Sequence, residues 1–259
     1  MTGPPRFVEW IIDLPIPLLA LIVLGAWAAI AVLVHQVLVP WIAGPDGRTL
    51  GKFEAEVASQ LGIILGLLLS FNALNVWEQS SAARDATLAE ASALREIADL
   101  VPELSPELQP QVRNALRGYL EYVIGTEWPQ LGRGSLALER PASLRSLTHL
   151  ARASGNEDLH DAVAAAVNAR EQRIRIATNR MLPARWTIVS VLGGLALLAI
   201  GLVHAEHRRA RAVAIGMLTF AIASCFLVLL VQVRPFLGVL ALKPTELSAL
   251  AGELATSPR

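Results

Sequence analysis

No Asp, Glu, Lys or Arg stands between Val57 and Trp77, and none between Trp186 and Val203. The stretches Ile16–Val39 and Ala212–Val233 are equally free of them. Each run is about 18–24 residues, enough at about 1.5 Å rise per residue to cross a hydrocarbon layer about 30 Å thick. Lipid leaves backbone amides no outside partner, so runs of this kind are satisfied as helices. Trp10, Trp41, Trp77 and Trp186 fall at or near the run ends, where amphipathic rings meet headgroups. The whole chain is 54% hydrophobic and 17% charged, too apolar for an ordinary water-soluble domain. A multi-pass membrane protein with four spans is expected. The first run is too long for the apolar core of a cleavable leader, and Arg6 is the one basic residue before it.

The segment between the second and third spans differs in character. It is rich in Ala, Leu, Glu and Arg, with apolar residues at helical spacing. Ala83, Ala86, Glu90, Leu94, Ile97 and Val101 continue the second span outward to Pro102. Ser105-Pro106-Glu107 reads as a helix start, with Leu108, Val112, Leu116, Tyr119 and Val123 on one face up to Glu127-Trp128-Pro129. A shorter helix follows Pro141. Asn156-Glu157-Asp158 opens a long one carrying Leu159, Val163, Ala166, Ile174 and Ala177. No strand pattern appears. The expected fold is all-α: two membrane helices in residues 1–78, an extramembrane helical bundle in 79–184, and two more membrane helices with a tail in 185–259.

Within the second span, Gly62, Gly66 and Ser70 recur every fourth residue and share one face, suited to close helix packing. Asn72, Asn75 and Gln79 form another face, about 155° away at 100° per residue. An unpartnered amide in hydrocarbon costs several kcal/mol, so this face is turned from acyl chains. It holds a neighbouring helix, lines a hydrated path with Ser70, or borders a lipid or ligand groove. Arg234 closes the fourth span; there it reaches headgroups, caps its helix, or stands at a pore mouth. Pro235 and Gly238 follow as helix-stop signals, aiming Phe236 back over the membrane surface.

Catalytic and cofactor chemistry find no footing. His35 would need a carboxylate within the spans to relay protons, and the spans contain none. His204 and His207 neighbour Arg208, Arg209 and Arg211, a setting hostile to a metal cation. Glu127 is the best-placed carboxylate outside the bilayer, but a lone carboxylate is no catalytic constellation. No phosphate loop, nucleophile elbow or dinucleotide fingerprint is present. The formal net charge of zero gives nucleic acid no basic surface. Cys225 is the single cysteine and forms no intrachain disulfide.

Several local motifs resemble those of the bestrophin-like membrane family. They are Gly66-Leu-Leu-Leu-Ser-Phe71 through Trp77, Glu90-Ala91 with Leu94, Tyr119 with Glu127-Trp128-Pro129, the approach from Arg173 to Pro183, and Arg234-Pro235-Phe236-Leu237-Gly238. Val233 departs from the resemblance, which would place an Asp before that arginine, so a pairing made by the Asp is absent or replaced. The resemblance implies kinship with homo-oligomeric anion channels, a pentamer among the possible assemblies, with membrane lipid and small anions as partners. An oligomeric, anion-conducting protein is the first expectation; a non-conducting, membrane-anchored helical scaffold or signalling protein is the second. Arg48, Lys52, Arg208, Arg209 and Arg211 on the short loops argue for placing those loops in the cytoplasm. Arg84, Arg173, Arg175, Arg180, Arg185 and Arg234 crowd the opposite ends. With the resemblance, they favour a cytoplasmic bundle.

Overall fold

The computed structural model describes residues 14–44, 46–47, 53–133, 139–178, 183–232, 235–236 and 241–256. Helices account for every regular element among them: α1 (Ile16–Leu33), α2 (Val39–Ala43), α3 (Ala55–Leu100), α4 (Leu108–Tyr122), α5 (Trp128–Arg133), α6 (Ala142–Ser154), α7 (Glu157–Thr178), α8 (Pro183–Val203), α9 (Arg208–Gln232) and α10 (Thr245–Thr256). Among the described residues, four stretches are long and apolar enough to cross a membrane: Ile16–Ala43, Ala55–Glu103, Arg185–Val203 and Arg208–Gln232. The large helical insertion lies between the second and third of these, as the hydropathy pattern predicts.

Two compact units divide the chain, 1–77 with 181–233, and 78–180 with 234–259. The first is built on α1, α8 and α9. Lipid supplies no hydrophobic drive between helices, so close approach must hold them together. Two glycines of α8 permit it. A Cβ on Gly193 would stand 2.6 Å from Trp27 Cη2, and one on Gly201 would stand 2.8 Å from Val39 Cγ2. Trp27 in turn packs edge-on against Phe226, with centroids 5.1 Å apart.

Water exclusion dominates the second unit. Leu94, Ile97, Val112, Leu116, Tyr119, Leu144, Leu147, Leu159 and Val163 are all buried in one core, joined by Leu247 and Leu250 of α10. Each fully buried large aliphatic contributes about 1.5–3 kcal/mol. The tail therefore belongs to this core. The start signal at Asn156 is met: its Oδ1 accepts the Leu159 N–H at 3.0 Å, and Glu157 and Asp158 occupy the first turn. Ser105 differs from expectation. Its carbonyl, not its hydroxyl, takes the Leu108 N–H at 2.9 Å, so Pro106 and Glu107 form an entry turn and α4 begins at Leu108.

Two prolines sit inside helical paths rather than at their ends. Pro40 follows a π-helical turn, Val34–Leu38, and Pro129 follows another, Val123–Glu127. Proline supplies no N–H, and its ring excludes the carbonyl four residues back, here Gln36 and Gly125. Widening the turn relieves both demands. The Val39 N–H then bonds Val34 O, and the Trp128 N–H bonds Val123 O. The path from α1 accordingly runs on through Pro40 to Ala43, and that from α4 through Pro129 to Arg133.

Candidate functional site

The second unit closes around a buried ion network. Glu90 of α3, Glu127 at the end of the wide turn, and Arg170 and Arg173 of α7 are each at most 1% exposed. Arg173 donates from Nε to Glu90 Oε2 at 2.6 Å and from Nη2 to Glu90 Oε1 at 3.0 Å. The same Nη2 reaches Glu127 Oε1 at 2.7 Å. Arg170 donates from Nε and Nη2 to Glu127 Oε2, at 3.0 and 2.5 Å. The Tyr119 hydroxyl donates to Glu90 Oε1 at 2.5 Å. Two carboxylates thus balance two guanidiniums, and every carboxylate oxygen accepts at least one hydrogen bond. Burial, then the Glu90 charge, raises the Tyr119 pKa well above its ordinary value, so the phenol stays a donor. Burial would lower the Arg173 pKa, but Glu90 and then Glu127 reverse this and raise it; the guanidinium stays charged.

Trp128 seals the cluster. Arg173 lies over its ring, 5.3 Å from the centroid, a cation–π contact strengthened by desolvation. Its Nε1–H donates to Leu242 O at 3.1 Å, and Phe236 packs against it edge-on at 5.4 Å. The wide turn is what puts the adjacent Glu127 and Trp128 together on the buried side. Of the motif residues scattered through the sequence, Glu90, Glu127 and Trp128 therefore meet at Arg173, with Tyr119 on Glu90 and Phe236 on Trp128. Glu127 is not the lone carboxylate expected from sequence: it is held by Arg170 and Arg173. Pro235 lies beside this group and accepts the Leu242 N–H at 2.7 Å. Arg234 and Gly238 lie outside the described residues.

The membrane part of α3 behaves differently. Asn72 donates from Nδ2 to Leu68 O at 2.7 Å, and Asn75 from Nδ2 to Phe71 O at 2.8 Å. Among the described residues both amides bond only their own helix, leaving one N–H and Oδ1 on each without a partner. Gln79 continues their face and is half-buried. Ser70 donates to Gly66 O at 2.9 Å and lines a cleft of about 480 Å³ with Leu74, Trp77, Val228 and Gln232. Two residues separate Ser70 from Asn72, about 200° at 100° per residue, so the serine faces α9 and the amides do not. A Cβ at Gly62 or Gly66 would meet nothing within 4 Å.

At the other end of the membrane unit, His35 accepts a hydrogen bond on Nδ1 from Arg211 Nε at 3.2 Å. Arg211 is not a loop residue, as hydropathy suggested, but lies in the first turn of α9 and is buried. Arg170 and Arg211 escape simple sequence reading. Their signal is positional, since Arg170 and Arg173 take helical-repeat positions on the apolar stripe between Ala166 and Ala177.

No curated protein matches the chain. A solved bacterial bestrophin homologue from Klebsiella pneumoniae, carrying a tryptophan-to-alanine substitution, is similar with TM-score 0.64 and 14% identity over 89% of this chain and 95% of that one. A solved membrane protein carrying a leucine-to-alanine substitution gives TM-score 0.63 and 15% identity over 90% and 97%. At such identities the likeness speaks for the fold. The family itself rests on a sequence model, the Bestrophin-like domain, which matches residues 25–247. That span takes in most of the first membrane helix, the other three, the ion network and Phe236, and the chain belongs to the Bestrophin-like family.

Proposed function

We propose that the chain assembles with further copies of itself around α3 and passes small anions along the amide face of that helix. The observation that carries this reading is the incompleteness of α3 within one chain. Only 6% of its most apolar stretch is buried, against 22%, 39% and 33% in the other three. Simple lipid exposure does not account for a helix that presents glycines on one face and half-satisfied carboxamides on another.

Copies packing on the Gly62 and Gly66 face would bring Asn72, Asn75 and Gln79 round a shared axis. A carboxamide N–H solvates an anion without the fixed charge that would trap it. The spans hold no acidic residue to repel one. Arg234, placed by sequence at the end of the fourth span, adds positive charge at a mouth. The insertion is assigned to the cytoplasmic side, in keeping with the arginines at its membrane ends.

Anion flux from liposomes tests the reading. Asn75→Leu is expected to block or reshape flux while the oligomer persists. A wild type with no flux above that of empty liposomes, at any voltage or pH, would replace the channel with a non-conducting scaffold.

A further inference from the structure

A cavity of about 760 Å³ opens at the short-loop end of the membrane unit, lined by His35, Gln36, His207, Arg208 and Arg211 among others. It lies where the wide turn before Pro40 meets the first turn of α9. Gly47 fixes one wall. Its φ is +71°, and a Cβ there would stand 2.5 Å from the Ala205 carbonyl, so the two short loops touch.

Arg211 is the unusual member. It is 6% exposed, and among the described residues its hydrogen-bond partners are both neutral: His35 Nδ1 at 3.2 Å and Ala205 O at 3.4 Å. The His35 contact puts the imidazole proton on Nε2, leaving a second donor beside the arginine. Among the described residues, Arg211 Nη2 has no hydrogen-bond partner. Guanidinium does not deprotonate in proteins, so Arg211 brings a fixed positive charge to the cavity wall. The first turn of a helix also carries positive dipole charge, which disfavours arginine there. Topology signals account for exposed arginines such as Arg209, not for a buried one. Asp46 and Glu206 also line the cavity. Both are exposed, and neither forms an ion pair among the described residues.

We propose that this cavity binds a phosphate group, with Arg211 as its buried anchor and Arg208, His207, Gln36 and His35 as further donors. The volume falls within the range of small-ligand sites, about 300–1,000 Å³, far beyond what a halide fills. Several divergent donors suit an oxyanion with several acceptors. Free phosphate and a lipid phosphate headgroup share that chemistry. The site is independent of the conduction reading.

Melting of the purified, delipidated full chain tests it, at ionic strength held constant with chloride. The probes are inorganic phosphate, phosphatidate, and diacylglycerol as the phosphate-free control. A saturable rise in melting temperature is expected with a phosphate-bearing probe and not with diacylglycerol. Response to inorganic phosphate assigns a soluble ligand; response to phosphatidate alone assigns a headgroup. Arg211→Gln should abolish the rise. Arg208→Gln, at an exposed position that leaves the fold intact, should weaken apparent affinity by about tenfold. Asp46→Asn, which removes a repelling charge, should tighten it. No saturable rise with either phosphate probe would overturn the site, as would a rise that both arginine variants retain.

Discussion

Two polar clusters in this protein are built on the same backbone device and end in opposite electrostatic states. Each uses a π-helical turn two residues short of a proline, Val34–Leu38 before Pro40 and Val123–Glu127 before Pro129. In the insertion, the turn delivers Glu127 to a closed group of two carboxylates and two guanidiniums, all at most 1% exposed. In the membrane unit, the turn delivers His35 to Arg211, whose charge meets no carboxylate among the described residues. The first cluster balances its charges within one chain, although Arg173 Nη1 is buried without a hydrogen-bond partner. The second, like the amide face of α3, is left with donors to spare. Backbone geometry places a polar group; charge balance decides whether it ends as a structural joint or an open site.

The largest expected effect follows from breaking the closed cluster. Glu127→Ala strands Arg170 and half of Arg173 in the core, and should cost about 3–5 kcal/mol of stability. Denaturant or thermal unfolding in detergent measures it, and a loss under 1 kcal/mol would mean that the network is hydrated. Next comes a pair of glycines. Gly193→Ala places a Cβ 2.6 Å from the Trp27 ring and should cost about 1–3 kcal/mol. Gly66→Leu meets open space within the chain, so it should spare the fold of the single chain and weaken assembly instead. Equal effects of the two on monomer unfolding would erase the distinction between inner and outer glycines.

Tyr119→Phe removes one hydrogen bond to a charged acceptor and should cost about 1.5–3 kcal/mol. Its pH signature has a definite sign. The folded pKa is raised above the unfolded value, so the contribution of the phenol is fully present below pH about 10 and is lost as pH rises beyond it. Wild type should therefore lose stability more steeply than Tyr119→Phe above that pH. The smallest effect belongs to the open cluster. Arg211→Gln relieves an uncompensated charge while losing two long hydrogen bonds, and without phosphate it should change stability by no more than about 1 kcal/mol. A loss as large as that of Glu127→Ala would show the two clusters to be alike.

Much of the fold was legible because hydropathy and helical period are local signals: four spans, the Pro102 and Pro141 boundaries, and the Asn156 cap all follow from neighbouring residues. Helix ends were misread at prolines. Pro40 and Pro129 look like helix ends, but a widened turn lets the path continue, and only tertiary packing of Trp128 and Val39 favours that outcome. The amide and glycine faces of α3 were visible from spacing alone. Pairing was not, because Glu90 and Arg173 lie 83 residues apart and nothing local joins them. Arg170 carries no local signal of its own beyond its place on the Ala166–Ala177 stripe.

The contrast between a self-sufficient insertion and an incomplete membrane unit rests on α3 needing further copies of the chain. Native mass spectrometry of the wild type, released from detergent micelles, measures this directly. The account predicts a closed homo-oligomer that Gly66→Leu dissociates and Glu127→Gln, at a position internal to one chain, leaves at the same subunit number. A wild type that appears only at the mass of a single chain, with melting unaffected by Gly66→Leu, would contradict it.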